Sequence, residues 1–93
     1  IGMKRNAVNR IPEIEDIEAV ACAVQNIYLS VVAYGLGGYW TTGGVTYYDK
    51  AKPFFGLGDT DKLLGFFYIA NVKIPSGKGK RTDINNKVCW IRK

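Results

Sequence analysis

The sequence predicts one small domain of mixed helix and strand (α/β), because two segments differ in their hydrophobic period. Apolar residues recur at intervals of three and four from Ile14 to Val32, which is the period of an amphipathic helix. Residues 63–72 form instead a continuous, aromatic-rich apolar run, which is typical of a buried central strand. The length of 93 residues allows one domain at most, with a marginal core.

The composition indicates a folded protein with surplus apolar surface. Hydrophobic residues make up 47% of the chain and charged residues 23%, which excludes a disordered segment. We expect a partner chain to cover part of this surface.

No signal peptide is visible, and the longest apolar stretch, residues 27–36, is too short to cross a bilayer. We therefore expect a cytoplasmic protein without a membrane span.

The long helix is expected over residues 13–35, after a flexible basic lead at residues 1–12 that ends in Pro12. Carboxylates in the first turn meet the positive end of the helix dipole, and Gly35 is expected to end the helix in a left-handed turn. The second half of the helix is apolar nearly all round, which predicts burial on several sides. Cys22, which lies among Ala and Val on this helix, is predicted to be a buried thiol.

Residues 36–72 are expected to hold a short strand after the glycine pair at 37–38, then a short helix or turn at 47–55, and then the apolar strand.

Residues 73–93 form a basic tail. Its charged residues are Lys73, Lys78, Lys80, Arg81, Lys87, Arg92 and Lys93, with Asp83 as the one acid. A basic tail of this kind holds a phosphate, attracts nucleic acid, or is a solvated end.

The chain contains no histidine, so Ser-His-Asp and Cys-His catalysis and the usual zinc ligand sets are excluded. The carboxylates lie at a helix start or in loops, without a paired arrangement. We therefore predict neither a catalytic side chain nor a metal ligand. If the protein is an enzyme, a cofactor carries the chemistry and the chain supplies position and hydrogen bonds.

Two segments are candidate binding sites, and each has a structural alternative. Trp40, Thr41 and Thr42 form either a strand end with a half-buried Trp, or a loop whose amides and hydroxyls face a cofactor ring. Lys80 and Arg81 belong either to a solvated tail or to a phosphate clamp. From the residues alone, the structural alternative is favoured at both places.

Two blocks of the sequence resemble the nitroreductase family. Residues 21–26, continuing through 35–43, are similar to the family's long helix and its Gly-Leu-Gly-x-x-Trp turn. Residues 55–57 and 61–69 are similar to its strand of lysine, two aliphatics and Gly-Phe-Leu-Tyr-Leu-Gly. The order and spacing of both blocks fit. The resemblance implies the C-terminal part of an α/β (α+β) nitroreductase-like fold, in which the long helix precedes strands of a mostly antiparallel sheet.

The resemblance also implies a function. Family members are homodimers that hold FMN at the subunit interface, accept electrons from NADH or NADPH, and reduce nitroaromatics, quinones or other acceptors. It implies that Trp40, Thr41 and Thr42 contact FMN and that Lys80 and Arg81 approach its phosphate. The family's N-terminal Arg-x-Ser motif is absent, so we expect a fragment with half of the flavin site.

A second hypothesis is a non-catalytic interaction module that self-associates through the helix and uses its basic tail to bind an acidic partner. Few aromatic residues interleave with the tail, Trp90 being one of them. Nucleic acid is therefore a disfavoured partner, because single strands are bound on stacking aromatic platforms.

Overall fold

The computed structural model describes residues 1–6, 8 and 10–92. Its helices and strands, in chain order, are β1 (Gly2–Met3), α1 (Glu13–Ala33), β2 (Gly37–Thr41), α2 (Ala51–Phe54), β3 (Lys62–Leu63) and β4 (Phe66–Ala70). Short 3-10 turns lie at Gly44–Tyr47 and Ile84–Asn86. β1 pairs antiparallel with β3, and β2 pairs antiparallel with β4. The predicted α+β class with antiparallel strands is confirmed.

Helix α1 begins after Pro12 and carries Glu13, Glu15 and Asp16 in its first turn, where they face the positive end of the helix dipole. Gly35 follows the helix with a φ of 71°, so it provides the predicted left-handed end. The observed bounds lie within two residues of the predicted helix, as expected where the hydrophobic period is strong.

One face of α1 packs against the β2–β4 pair. Val24 and Val31 are buried on this face. Between them, Tyr28 packs edge-on against Phe67 of β4, with ring centroids 4.6 Å apart. This aromatic contact fixes the helix across the two-stranded sheet.

The adjoining face of α1 is uncovered. Leu29 is 61% exposed and Val32 is 67% exposed, and Ile14 is also exposed. Cys22 is exposed as well, so the prediction of a buried thiol is wrong for the single chain. The reason is that only one face of the helix has a sheet to pack on.

Helix α1 also has the length and composition of a membrane span, with a mean hydropathy of 1.3 in its most apolar window. Helices that pack inside globular proteins meet the same criterion, and α1 packs one face on a sheet. The length and hydropathy of α1 are therefore common to membrane-spanning helices and to helices of globular proteins.

The first residues are ordered, so the expectation of a flexible lead is wrong for this part of the segment. Met3 of β1 is 1% exposed and is among the most buried side chains described. The backbone N–H of Arg5 donates to Asp61 (2.9 Å), and its guanidinium forms an ion pair with Asp16. A strand of two residues is too short to show a hydrophobic period, which is why the sequence did not indicate it.

The apolar run at residues 63–72 is divided into β3 and β4, so the prediction of one continuous strand is wrong. The break lies at Leu64 and Gly65, and Gly65 adopts a φ of 117°. The prediction of a buried central strand is also wrong for this chain, because β4 has β2 on one side only and its residues 68–70 are exposed.

The basic tail is exposed from residue 71 to residue 92. Its 3-10 turn is capped by Asp83, whose carboxylate accepts a hydrogen bond from the backbone N–H of Asn85 (2.9 Å). The tail therefore presents its cations and its apolar residues, including Trp90, to solvent.

Replacing Gly65 with Ala is expected to destabilise the chain by about 3 kcal/mol, because its φ is strained for any L-residue. An added Cβ would also lie 2.2 Å from the carbonyl oxygen of Thr41. Urea unfolding of the full chain measures the change. Gly77→Ala is the control, because a Cβ at Gly77 meets nothing within 4 Å. Equal stability of the two variants would contradict the close approach at Gly65.

Acid is expected to weaken the loop that Asp61 anchors. Hydrogen bonds from the backbone N–H groups of Gly58 and then Arg5 hold the pKa of the Asp61 carboxyl below its usual value. A carboxyl whose pKa is lower in the folded than in the unfolded state stabilises the fold at pH values above its unfolded-state pKa. This stabilisation is lost as the pH falls through the folded-state pKa. Asp61→Asn should therefore lose less stability than the parent between roughly pH 5 and pH 2. Asp59→Asn is the control; a parallel pH profile for parent and Asp61→Asn would refute this role.

Candidate functional site

Trp40 lies at the end of β2 and is half-buried, as the structural alternative for this segment predicted. Its backbone N–H donates to the hydroxyl of Tyr28 (2.8 Å), and its indole Nε1–H donates to the carbonyl oxygen of Leu64 (2.9 Å). Both distances are typical of well-formed hydrogen bonds. The indole is therefore held towards the β3–β4 link rather than towards solvent.

Thr41 and Thr42 carry the chain from β2 into the following turn. The Thr41 hydroxyl accepts a hydrogen bond from the backbone N–H of Gly43 (3.4 Å), which closes the turn. Thr42 is exposed, and its hydroxyl accepts a hydrogen bond from the Tyr47 hydroxyl (3.4 Å). The turn therefore presents hydroxyl groups at the surface, beside an aromatic ring.

A mainly apolar cavity of about 230 Å³ lies beside this turn. Its wall includes Trp40, Thr42, Tyr47, Leu63 and Leu64. Thr46 also lines it and is buried, and its hydroxyl has no hydrogen-bond partner within the described part of the chain. An apolar cavity with a few hydroxyl groups is the kind of surface that a flat organic ligand occupies.

A second cavity of about 300 Å³ adjoins the first, because Thr46, Tyr47, Leu63 and Leu64 line both. Lys52 and Lys62 are also on its wall. Each lysine already has an acidic partner: Lys52 lies 3.6 Å from a carboxylate oxygen of Asp49, and Lys62 lies 3.2 Å from one of Glu13. These pairs leave little net positive charge at the second cavity.

Lys80 and Arg81 lie on the exposed tail and line neither cavity. Among the residues that the structure describes, neither has a hydrogen-bond or ion-pair partner. The structure of the single chain therefore leaves these two cations apart from the Trp40 turn. No group of three or more His, Cys, Asp or Glu that could hold a metal ion occurs within residues 1–6, 8 and 10–92.

Sequence reasoning missed three residues of this site. Tyr28 reaches Trp40 from twelve residues earlier in the chain, and its position on the helix gives no sign of that contact. Thr46 and Tyr47 lie in a 3-10 turn that the sequence indicated only from residue 47 onwards. No local motif identifies these residues, because their roles arise from packing between elements.

Comparisons with known proteins bear on both the fold and the family. No protein-family model matches the chain. YdjA of Escherichia coli strain K12, which is assigned as an NAD(P)H nitroreductase, is 30% identical over 77 residues, covering 83% of this chain and 40% of the relative. The YdjA of Escherichia coli O157:H7 gives the same values.

Among solved structures, the nitroreductase-like family protein from Bacillus cereus superposes with a TM-score of 0.75 at 31% identity. The match covers 97% of this chain and 48% of that chain. The α+β arrangement is therefore a nitroreductase-like fold.

Over most of its length the chain is similar in sequence and in fold to nitroreductases, and it spans less than half the length of the relatives that it matches.

Proposed function

We propose that the chain is part of an oxidoreductase that uses FMN to pass reducing equivalents from NADH or NADPH to nitroaromatic or quinone-type acceptors. The observation that carries this proposal is the match of nearly the whole chain, in sequence and in fold, to proteins named as nitroreductases. Free cysteines and the similarity to nitroreductases support a cytoplasmic location.

The residues beside the Trp40 turn fit a flavin. The neighbouring cavity is apolar apart from hydroxyl groups, and the buried hydroxyl of Thr46 is without a partner in the described structure. Thr42 lines this cavity and would offer its hydroxyl to the edge of a flat ring, and Thr41 precedes it in the same turn. When bound, FMN supplies the hydride and electron transfer, so no side chain of this chain needs to act as a nucleophile.

Lys80 and Arg81 would neutralise the FMN phosphate. Both cations are exposed, and neither has a partner among the described residues, which leaves their charges available to a phosphate. Because they lie on an extended tail, they would reach the phosphate either by folding of the tail or from a second copy of the chain. The rest of the flavin site would come from residues outside this chain, in keeping with the share of each relative that it spans.

We infer that the protein is a homodimer and that the uncovered face of α1 forms part of its interface. Cys22, Gln25, Leu29 and Val32 recur along this face at intervals of three and four, which is the spacing of a helix seam that packs against a neighbour. The radius of gyration is 17.3 Å, whereas a compact domain of this length has about 12 Å. An open shape with an exposed apolar helix is what a subunit separated from its partner presents.

Thr42→Ala is expected to weaken FMN binding about fivefold through loss of one hydrogen bond. Trp40→Ala should weaken it further, because the turn loses its internal support. Equilibrium titration of the chain with FMN, followed by flavin fluorescence, measures both effects. Thr60→Ala is the control, since Thr60 is exposed in a different loop. Unchanged affinity in both site variants would reject the assignment of this turn. A parent chain that binds no FMN would mean that binding requires the part of the flavin site that lies outside this chain.

Leu29→Lys is expected to convert a dimer into a monomer, because it places a charge in an apolar interface. Sedimentation velocity at micromolar concentration distinguishes the two states. Ser30→Lys is the matched control, since Ser30 is also exposed but lies outside the apolar stripe. Labelling of the Cys22 thiol should be slow in the parent and fast in Leu29→Lys. A parent chain that sediments as a monomer would contradict this interface.

A further inference from the structure

We propose that Tyr28 is a positioning residue for the turn Trp40-Thr41-Thr42, and that Trp40 supports this turn from inside without offering its indole N–H to a ligand. The inference deepens the proposed function, because it assigns separate roles to the residues of the candidate flavin turn. The hydroxyls of Thr41 and Thr42 each accept one hydrogen bond within the turn and keep their own hydrogen, which they would donate to the cofactor.

Both hydrogen-bond donors of Trp40 are already used. An indole has a single N–H donor and no acceptor. That donor binds the Leu64 carbonyl at 2.9 Å, and the backbone N–H binds the Tyr28 hydroxyl at 2.8 Å. A ligand in the neighbouring cavity would therefore meet the ring of Trp40 but no polar hydrogen from it.

One edge of β2 is open. This strand pairs only with β4, so an N–H on its other edge has no strand to bind. The Tyr28 hydroxyl accepts the N–H of Trp40 and so takes the place of a neighbouring strand at this one position. The ring of Tyr28 is itself held against Phe67, which fixes where the hydroxyl lies.

The β3–β4 link approaches the turn closely. A Cβ at Gly65 would lie 2.8 Å from the Trp40 Nε1 atom and 2.2 Å from the Thr41 carbonyl oxygen. The backbone at Leu64 and Gly65 thus lies directly against Trp40 and Thr41. Helix α1 and the β3–β4 link, which are distant in sequence, both contact β2 at Trp40. Thr41 can therefore move only if one of these contacts breaks.

The test is amide hydrogen exchange of the full chain, measured by NMR, in the parent and in Tyr28→Phe. This change removes the hydroxyl and keeps the ring against Phe67. Exchange of the Trp40, Thr41 and Thr42 amides is expected to accelerate about fivefold, as for the loss of one hydrogen bond. Exchange at Val24 and Val31 in the centre of α1 should not change. Tyr39→Phe is the matched control, because Tyr39 is on the same strand and exposed.

Two outcomes would overturn the proposal. One is exchange at the turn in Tyr28→Phe that equals the parent's. The other is an equal acceleration throughout α1 and the turn, which would mean that Tyr28 stabilises the whole fold without positioning the turn. The failure of the proposed function looks different: FMN affinity would be unchanged in Thr42→Ala and Trp40→Ala while the local acceleration in Tyr28→Phe was still observed.

Discussion

The hydrogen bonds of Trp40 connect the elements on which the rest of the chain depends. They join β2 to α1 through Tyr28 and to the β3–β4 link through Leu64. Because β2 and β4 form only a two-stranded sheet, which is marginal alone, these contacts supply what further strands would supply in a larger sheet. Gly65 is part of the same arrangement, since any side chain there would push the link away from the turn.

The two-stranded sheet also explains why so much apolar surface is exposed to solvent. The described core consists of Met3, Val24, Val31, Leu57 and Leu63, while Leu29, Val32, Tyr39, Tyr68 and many tail residues are exposed. A chain with 47% hydrophobic residues would normally bury more than this. The uncovered helix face and the free edge of β4 are therefore the places where a second copy, or another part of the protein, would complete the fold. This is consistent with a chain that spans less than half of its relatives.

The sequence predicted the elements whose signals are long or repeated. Helix α1 was recognisable from nineteen residues of regular spacing, Gly35 from its place after the helix, and β2 from its glycine and aromatic pattern. Strand β1 was missed because two residues are too few to show a hydrophobic period. The division of the apolar run into two strands was missed because a single glycine within such a run does not by itself indicate a strand end. The burial of Cys22 was predicted from residue type, whereas its exposure depends on what covers the helix.

The candidate site was predictable only as a stretch of chain. The turn at Trp40 was located, but the direction of its indole was not, because that direction depends on a carbonyl twenty-four residues later. The binding of FMN by Trp40, Thr41, Thr42, Lys80 and Arg81 stays a prediction. Tyr28 gave no signal at all, since a tyrosine at helical spacing is usually a core residue and no pattern links its hydroxyl to a backbone N–H twelve residues later.

The most direct test of this account is the exchange of the two indole N–H groups, observed as separate NMR signals in the parent chain. Trp90 is 71% exposed on the tail, whereas the Trp40 indole donates to Leu64. The account predicts that the Trp40 indole proton exchanges much more slowly than that of Trp90 and shows contacts to Leu64 and Gly65. Equally fast exchange of both indoles would contradict an inward-facing Trp40, and with it the arrangement that holds the turn.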